Sequence, residues 1–588
     1  MNFYQDEQDW RWLFKYAIDW DQILPLYFKS FPTEEGFENK EDVLAFLEEV
    51  LSQTGSWAGK TLAKRAASLD KKGAGKVEGG KTIPGEELSA SYKEAVELGV
   101  HGVSLPKEYG GLDLPKSVDL FQFQQIGRAC GSTFNQLGFF SSIGEVIHRF
   151  GNPWMKKTFI PKLIQGSISG AMALTEPDCG SDLGSIKTTA MIQDNDTYLL
   201  NGTKCFISNG GGGIQLVLAR VKGDPEGLPG ISLFLVEQEI SGKTELNYVI
   251  TKNEEKMGLQ GAFTTEVLYE NTVGHLVGKQ KAGFSYMLNL MNLARLGVGG
   301  QALGGIECAL FYARNYADER KQFGKPLSEL PLMKRNLEDL ETERDAMRAL
   351  LADTVGHFDI YRFLDRKKGE AQESLSLEEE KQLKEAKLWV RKRTPLIKYY
   401  TCEAYTTISQ KALQVLGGYG FMTEYPLERL HRDSFAPLLY EGTSQIQALM
   451  ALKDLLKYLM VDPKRFLKNV LCNHPNFTIN KKVRDWEMDY KSIHFRFKKK
   501  LIKLLINNLK PPINGSIFKP KKWVTEEKVN LLIIHAETFC QASAYIETLR
   551  VLVKHSYKDP IRKTLYFNYA RLVKPRLELI YKDWELLR

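Results

Sequence analysis

The chain has 588 residues, with 80 Lys and Arg against 72 Asp and Glu, a formal net charge of +8. At roughly 150 residues per domain, this length predicts about three or four domains. A hydrophobic content of 43% with 11% aromatic residues excludes a generally disordered chain. No run approaches the ~18 apolar residues of a membrane span. Asp6, Glu7, Asp9, Asp19 and Asp21 are unlike an export or mitochondrial leader, in which acidic residues are rare. Cysteines stand at 130, 179, 205, 308, 402, 472 and 540, with no Cys-x-x-Cys pair or Cys/His cluster. No metal site of the usual spacing is expected, and a reducing, cytoplasmic compartment is.

In chain order, residues 1–60 are expected to form an N-terminal helical extension, with Trp10, Phe14 and Ile18 at three-to-four spacing. A helical domain follows over 61–168. The Gly/Lys-rich stretch 71–81 within it reads as an exposed loop. Over 169–280 the texture changes to short alternating runs such as 216-LVLARV-221 and 231-ISLFLVE-237. Asn, Asp, Gly and Pro punctuate them, which predicts an antiparallel β domain. Residues 281–462 return to helical periodicity, with a charged, exposed insertion at 365–382. Residues 463–588 form a basic helical extension. It carries 27 Lys and Arg against 11 Asp and Glu, a net +16, and leaves −8 for residues 1–462. That asymmetry suits a solvated helical surface, or an anionic partner such as a membrane surface or acidic protein. No nucleic-acid motif accompanies it. Within 495–510, Phe497, Leu501, Leu504 and Leu505 share a helical face, which suits either an anionic membrane or a terminal helix bundle.

Five segments carry chemistry. The loop 175-TEPDCGSD-182 clusters hydroxyls and turn amides able to bond an oxygen-rich ring or a pyrophosphate. In 204-KCFISNGGGG-213, Phe206 and Ser208 would project from one face of a regular strand. In 320-RKQFGKPL-327, an Arg suited to phosphate precedes an aromatic ring. The glycine cluster of 414-QVLGGYGFMTEYPLERLHRD-433 lacks the preceding strand of a dinucleotide fingerprint, so a Rossmann reading fails. In 440-YEGTSQIQ-447, Glu441 follows an apolar stretch, where burial raises a carboxyl pKa and suits it to general-base work. Taken singly, each is an ordinary turn, strand end or surface residue.

Together and in order, the five segments closely resemble the acyl-CoA dehydrogenase family over roughly 60–460. Extended members of that family, the very-long-chain and methylmercaptopropionyl-CoA dehydrogenase-like branches, are the nearest in layout. The resemblance implies a mainly α fold with a central β domain: an N-terminal helical domain, an antiparallel β domain and a C-terminal four-helix bundle, here with a C-terminal helical extension. It implies FAD-dependent α,β-dehydrogenation of an acyl-CoA to a trans-2-enoyl-CoA, with electrons passed to an electron-transfer flavoprotein. Glu441 would remove the α-proton, the β-hydrogen leaving as hydride to the flavin. The backbone N–H of Glu441 and a ribityl hydroxyl would bond the thioester carbonyl. Leu174, Thr175, Gly180, Ser181, Phe206 and Ser208 would contact the flavin or pyrophosphate. Arg320, Gln322, Phe323, Gln414, Gly417 and Gly418 would reach the FAD of a neighbouring subunit in a homodimer or tetramer. Thr443 and Gln445 would hold FAD beside Glu441, and Arg295 would support that loop. Pro331 stands where the family often has a flavin-binding Gln, and the helix around 291–297 offers no alternative acid. An oxygen-using acyl-CoA oxidase, or a scaffold retaining the fold, remains a competing expectation. So does peripheral contact of 463–588 with the inner membrane.

Overall fold

The computed structural model describes residues 1–193, 197–370, 374–464, 483–512 and 514–586. Cys472 lies outside them. The N-terminal part consists of α1 (Gln8–Trp12), α2 (Trp20–Tyr27), α3 (Lys40–Trp57), α4 (Ala63–Lys72), α5 (Glu86–Glu97), α6 (Lys116–Ala129), α7 (Gly131–Phe150) and α8 (Pro153–Ile164). Local chemistry sets several starts. Asn39 and Asn152 accept hydrogen bonds from Asp42 and Met155 N–H, and Pro153 opens α8 where no amide donor is needed.

The stretch 71–81 is not a simple loop. β1 (Gly75–Glu78) and β2 (Lys81–Pro84) pair around Gly79 and Gly80, at φ 58° and 79°. Two successive positive φ values make a type I′ hairpin turn, which two glycines enter freely. The turn anchors the β domain, because Gly80 O accepts from Ile250 N (2.9 Å) and Gln238 Nε2 (3.0 Å).

The β domain comprises β3 (Ala171–Ala173), β4 (Thr189–Ile192), β5 (Thr197–Ser208), β6 (Ile214–Val221), β7 (Ile231–Glu237), β8 (Val249–Asn253) and β9 (Thr264–Leu276). Their order is β3-β6-β4-β5-β9-β7, with β8 on β9, and β6 also pairs with β7 so that the sheet closes on itself. It is not wholly antiparallel: β3 and β4 both run parallel to β6. Alternation of side chains reports a strand but not its direction, which depends on the connections between strands.

The bundle is α9 (Gly283–Glu319), α10 (Pro331–Glu370), α11 (Leu377–Val415) and α14 (Ser444–Val461). A short hairpin, β10 (Lys321–Gln322) and β11 (Lys325–Pro326), follows α9, and α12 (Pro426–Asp433) and α13 (Ala436–Leu439) precede α14. The charged insertion 365–382 is where α10 gives way to α11, which Ser376 and Glu379 start with a reciprocal capping box. The motif Thr423–Asp433 is a three-way joint. Arg432 bonds Asp70 of α4 (2.7 Å) and Glu428, while Asp433 Oδ1 accepts from Leu259 N of the β domain (2.6 Å).

The extension adds α15 (Asp485–Leu509), α16 (Glu526–Ile533), α17 (Ala536–Lys558) and α18 (Lys563–Leu586). Phe497, Leu501, Leu504 and Leu505 are buried in the same apolar core as the bundle. These four residues of α15 are thus covered by protein. Among the described residues no helix is long and apolar enough to cross a membrane. The extension's cations pair with acids of the body: Lys554 with Asp353 (2.6 Å), Arg576 with Glu343 (2.6 Å), Arg562 with Asp9 and Arg571 with Asp339.

The N-terminal segment is fixed by charge as well as apolar contact. Glu307 of α9 is buried, and accepts from Trp10 Nε1 (2.8 Å), Arg348 Nε (2.7 Å) and Arg128 Nη1 (3.5 Å). Glu7 completes the cluster with Arg128 (2.7 Å) and Arg348 (3.2 Å). Removing one partner of such a cluster leaves the other charges buried and uncompensated. Glu307→Ala is therefore expected to cost about 3–5 kcal/mol, read as a lowered denaturant midpoint. A loss within ±0.5 kcal/mol, typical of surface substitutions, would show the cluster to be unimportant.

Candidate active site

Glu441 lies in the short link between α13 and α14. Its φ is +56° and that of Gly442 is +89°. A non-glycine residue in the left-handed region costs roughly 1–2 kcal/mol, so the surroundings must hold it there. Three bundle helices do so by aiming donors at the link's carbonyls. Arg295 Nε of α9 (3.2 Å) and Gln447 Nε2 of α14 (3.0 Å) both donate to Glu441 O. Gln447 Nε2 (3.0 Å) and Lys398 Nζ of α11 (2.9 Å) both donate to Gly442 O. Lys398 also donates to Leu438 O (3.2 Å). Thr443 closes the link by accepting from Ile446 N (3.4 Å), which starts α14. On the other side, Tyr440 OH donates to Gln301 Oε1, and Gln301 Nε2 donates to Gly131 O at the α6–α7 junction (3.2 Å).

The Glu441 carboxyl group is shielded. Its Oε2 is closed to solvent and accepts no hydrogen bond. Burial pushes its pKa above the usual carboxylate value, and the charges of Arg295 and Lys398 only partly oppose this. Arg295, itself buried, is held by Asn292 Oδ1 (3.2 Å). Arg295 was legible in the sequence. Lys398, Gln447 and Gln301 were not, because a Lys or Gln inside a long helix reads as its solvated face.

The loop 175–182 is brought against the end of β5. Cys205 N donates to Thr175 O (3.0 Å), and Lys204 Nζ donates to Leu174 O (3.0 Å) and to Glu176 Oε1 (2.7 Å). Glu176 also accepts from Thr188 N (3.1 Å), Thr188 Oγ1 (2.6 Å) and Lys187 N (2.6 Å). Burial alone would raise the Glu176 pKa, but Lys204 and these donors outweigh it and hold the carboxyl below its usual range. Leu174 and Thr175 are half-buried, whereas Gly180 and Ser181 are exposed. β5 is not regular here. The pairing slips between Lys204 and Ile207, and Phe206 takes φ +60°. The shared-face argument for Phe206 and Ser208 therefore fails: a bulge re-aims Phe206, leaving its ring 63% exposed beside the half-buried Ser208.

The remaining segments gather at one end of the bundle. Phe323 and Gly324 turn the β10–β11 hairpin at φ 52° and 79°, so Gly324 serves a hairpin and not a helix end. Arg320 and Gln322 are exposed, and Phe323 is 90% exposed. Gln414, Gly417 and Gly418 lie nearby, also exposed, on a base packed from Tyr316, Ala317, Val415 and Leu416. An added Cβ at Gly417 or Gly418 would meet nothing within 4 Å. Among the described residues, no hydrogen bond joins this end to Glu441 or to the 175–182 loop. Gln445 is exposed at the first turn of α14.

Glu441 thus stands on a strained link with one carboxylate oxygen unpartnered, and the β domain separately presents a hydroxyl-bearing loop and an exposed ring. The chain matches the acyl-CoA dehydrogenase N-terminal domain at 47–167, the middle domain at 171–272 and the C-terminal domain at 281–362 and 369–456. It belongs to the acyl-CoA dehydrogenase family. It is 33% identical to the acryloyl-CoA reductase (NADH) of Anaerotignum propionicum over 62% of this chain and 86% of that one. It is 31% identical to the 3-methylmercaptopropionyl-CoA dehydrogenase of Ruegeria pomeroyi over 69% of each. A Bacillus anthracis acyl-CoA dehydrogenase solved with FAD shares the fold at TM-score 0.75 and 23% identity, over 97% of this chain and 92% of that one. This likeness in fold includes the extension.

Two outcomes follow from the geometry. Lys204→Met leaves Glu176 buried and unpaired, with an expected loss of about 3–5 kcal/mol in urea unfolding; a near-neutral result would show that the pair does not hold the loop. Glu441 has a folded-state pKa above its unfolded value, so it lowers stability as pH rises through that interval. Glu441→Gln is therefore expected to raise Tm at pH 8 and to lose that advantage near pH 4. A Tm difference independent of pH would contradict the burial argument.

Proposed function

We propose that the protein catalyses FAD-dependent α,β-dehydrogenation of an acyl-CoA thioester to its trans-2-enoyl-CoA, with Glu441 as the α-proton base. The observation that carries this reading is the Glu441 carboxylate, which has an oxygen without solvent or partner and a backbone fixed from three helices. A base for a weakly acidic carbon must have a raised pKa and must not be occupied by other bonds. The residues present also suit a flavin. Thr175 and Ser208 offer hydroxyls beside the exposed Phe206 ring, and the glycine turn at 417–418 leaves open space. When bound, FAD supplies the two-electron acceptor; the protein's part is position and electrostatics. Leu174, Thr175, Gly180, Ser181, Phe206 and Ser208 would hold it from the β domain, and Thr443 and Gln445 from the start of α14. Arg320, Gln322, Phe323, Gln414, Gly417 and Gly418 would serve a second subunit's cofactor. Their exposure in one chain, with Phe421 80% exposed beside them, supports a dimer or tetramer in which that end is covered. An electron-transfer flavoprotein is the proposed acceptor.

The likeness to a relative named acryloyl-CoA reductase (NADH) favours one second reading, in which the same site runs towards saturation. Both directions use Glu441, as base or as acid. Purified protein is expected to be yellow, to bleach on addition of a suitable acyl-CoA, and to turn over with a dye acceptor. Glu441→Gln should lose at least about a hundredfold in kcat while keeping the flavin. A colourless protein, or a fully active Glu441→Gln variant, would sink the proposal. NADH-driven reduction of an enoyl-CoA faster than the forward reaction would select the second reading, and peroxide release without a dye would mark an oxidase.

A further inference from the structure

Three lysines are fully buried among the described residues: Lys116, Lys204 and Lys398. Lys116 contacts Asp119 at 2.6 Å and Lys204 contacts Glu176 at 2.7 Å. Lys398 alone of the three has no carboxylate within ion-pair distance; it spends its donors on the carbonyls of Leu438 and Gly442. A buried ammonium is costly unless a negative charge compensates it. The two carbonyls belong to residues on either side of Glu441, and among carboxylates the charge of Glu441 acts most strongly on this ammonium. Arg295 approaches the same link from α9.

We propose that Lys398 is a positioning residue for the base: it ties the backbone on both sides of Glu441 and supplies the second of two buried positive charges that keep the carboxylate ionised although one of its oxygens is closed to solvent. This rests on Glu441 being the base.

The other groups around the pocket do not duplicate the role. α9 contributes Arg295, and α13–α14 contribute Tyr440 and Gln447. Gln301 of α9 bridges Tyr440 to the α6–α7 junction, and Asp433 of α12 lies beyond Tyr440. Of these only Arg295 is a cation. On α11, burial pushes the Cys402 thiol up to about 11, leaving it neutral, and Glu403 acts on Lys398 from a longer range. The charges of both Arg295 and Lys398 oppose the upward push of burial on Glu441. Two cations rather than one fit a base that must stay partly ionised near neutral pH although its Oε2 accepts no hydrogen bond.

The test uses the FAD-loaded full chain and reads Glu441 without turnover. Infrared difference titration of wild type against Glu441→Gln gives the carboxyl pKa, and is repeated in Lys398→Met and Lys398→Gln backgrounds. Lys398→Gln removes the charge but retains an amide donor on a side chain one bond shorter, so it carries the measurement if Lys398→Met fails to fold. Removal of an opposite charge at close range is expected to raise the Glu441 pKa by about one pH unit. The acid limb of the kcat profile should move with it, with kcat about tenfold lower on that limb and KM within about twofold. An unmoved Glu441 titration in both variants would overturn the proposal, even if activity fell. Failure of the base assignment would appear separately, as turnover that survives Glu441→Gln in the presence of Lys398.

Discussion

The proposed site depends on closing one carboxylate oxygen to water without pairing it. A carboxyl group that is merely buried stays protonated, and one that is merely salt-bridged is too weak a base. At Glu441 the upward push of burial is opposed by cations that bond its backbone and not its oxygens. Arg295 and Lys398 donate to the carbonyls of residues 438, 441 and 442, so their fields reach the side chain while its Oε2 stays free. This requires donors from three directions at once, which a four-helix bundle supplies where α9, α11 and α14 converge. The left-handed turn at Glu441 and Gly442 is the local strain this arrangement sustains.

Charge also explains the additions at both ends of the chain. A +16 extension beside a −8 body suggests an external anionic partner. Much of that partner is the chain itself. Lys554, Arg562, Arg571 and Arg576 all meet acids of the first 462 residues, and Glu547 returns the exchange through Lys392 (2.6 Å) and Arg393 (3.3 Å). The N-terminal segment is locked by the same means, with Glu7 and Trp10 reaching the Glu307–Arg348 cluster. Both ends therefore buttress α9–α11, two of which, α9 and α11, help to position the link carrying Glu441.

Architecture and the main chemical residues were legible because their signals are local. Helical spacing, alternating strands and the runs around 175, 206, 320, 414 and 441 each lie within a few consecutive residues. What escaped is set by tertiary context. Lys398 and Lys204 read as solvated lysines until the fold closes over them. The Phe206 bulge breaks the period of two on which the shared-face argument relied. The Gly79–Gly80 turn was visible as flexible, but its flanking strands are too short and polar to announce a hairpin. The direction of β3 and β4 against β6 follows from connections that no alternating pattern records.

The motif at 423–433 shows that a strong family signature need not touch the reacting atoms. Arg432 and Asp433 bind α4 and the β-domain loop at Leu259. At Gly258 an added Cβ would meet the Arg432 backbone at 2.7 Å, so the loop lies directly on α12 and tolerates no side chain there. Asp433 is buried, which pushes its pKa up to about 6 although it accepts the Leu259 N–H and faces Arg429. The joint thus carries an ionisation cost at neutral pH. A larger or more mobile contact would relieve that cost, but it would let the β domain shift against the bundle. The loop at 175–182 and the link at 440–443 belong to the two bodies that the joint connects, so the joint fixes where each can stand.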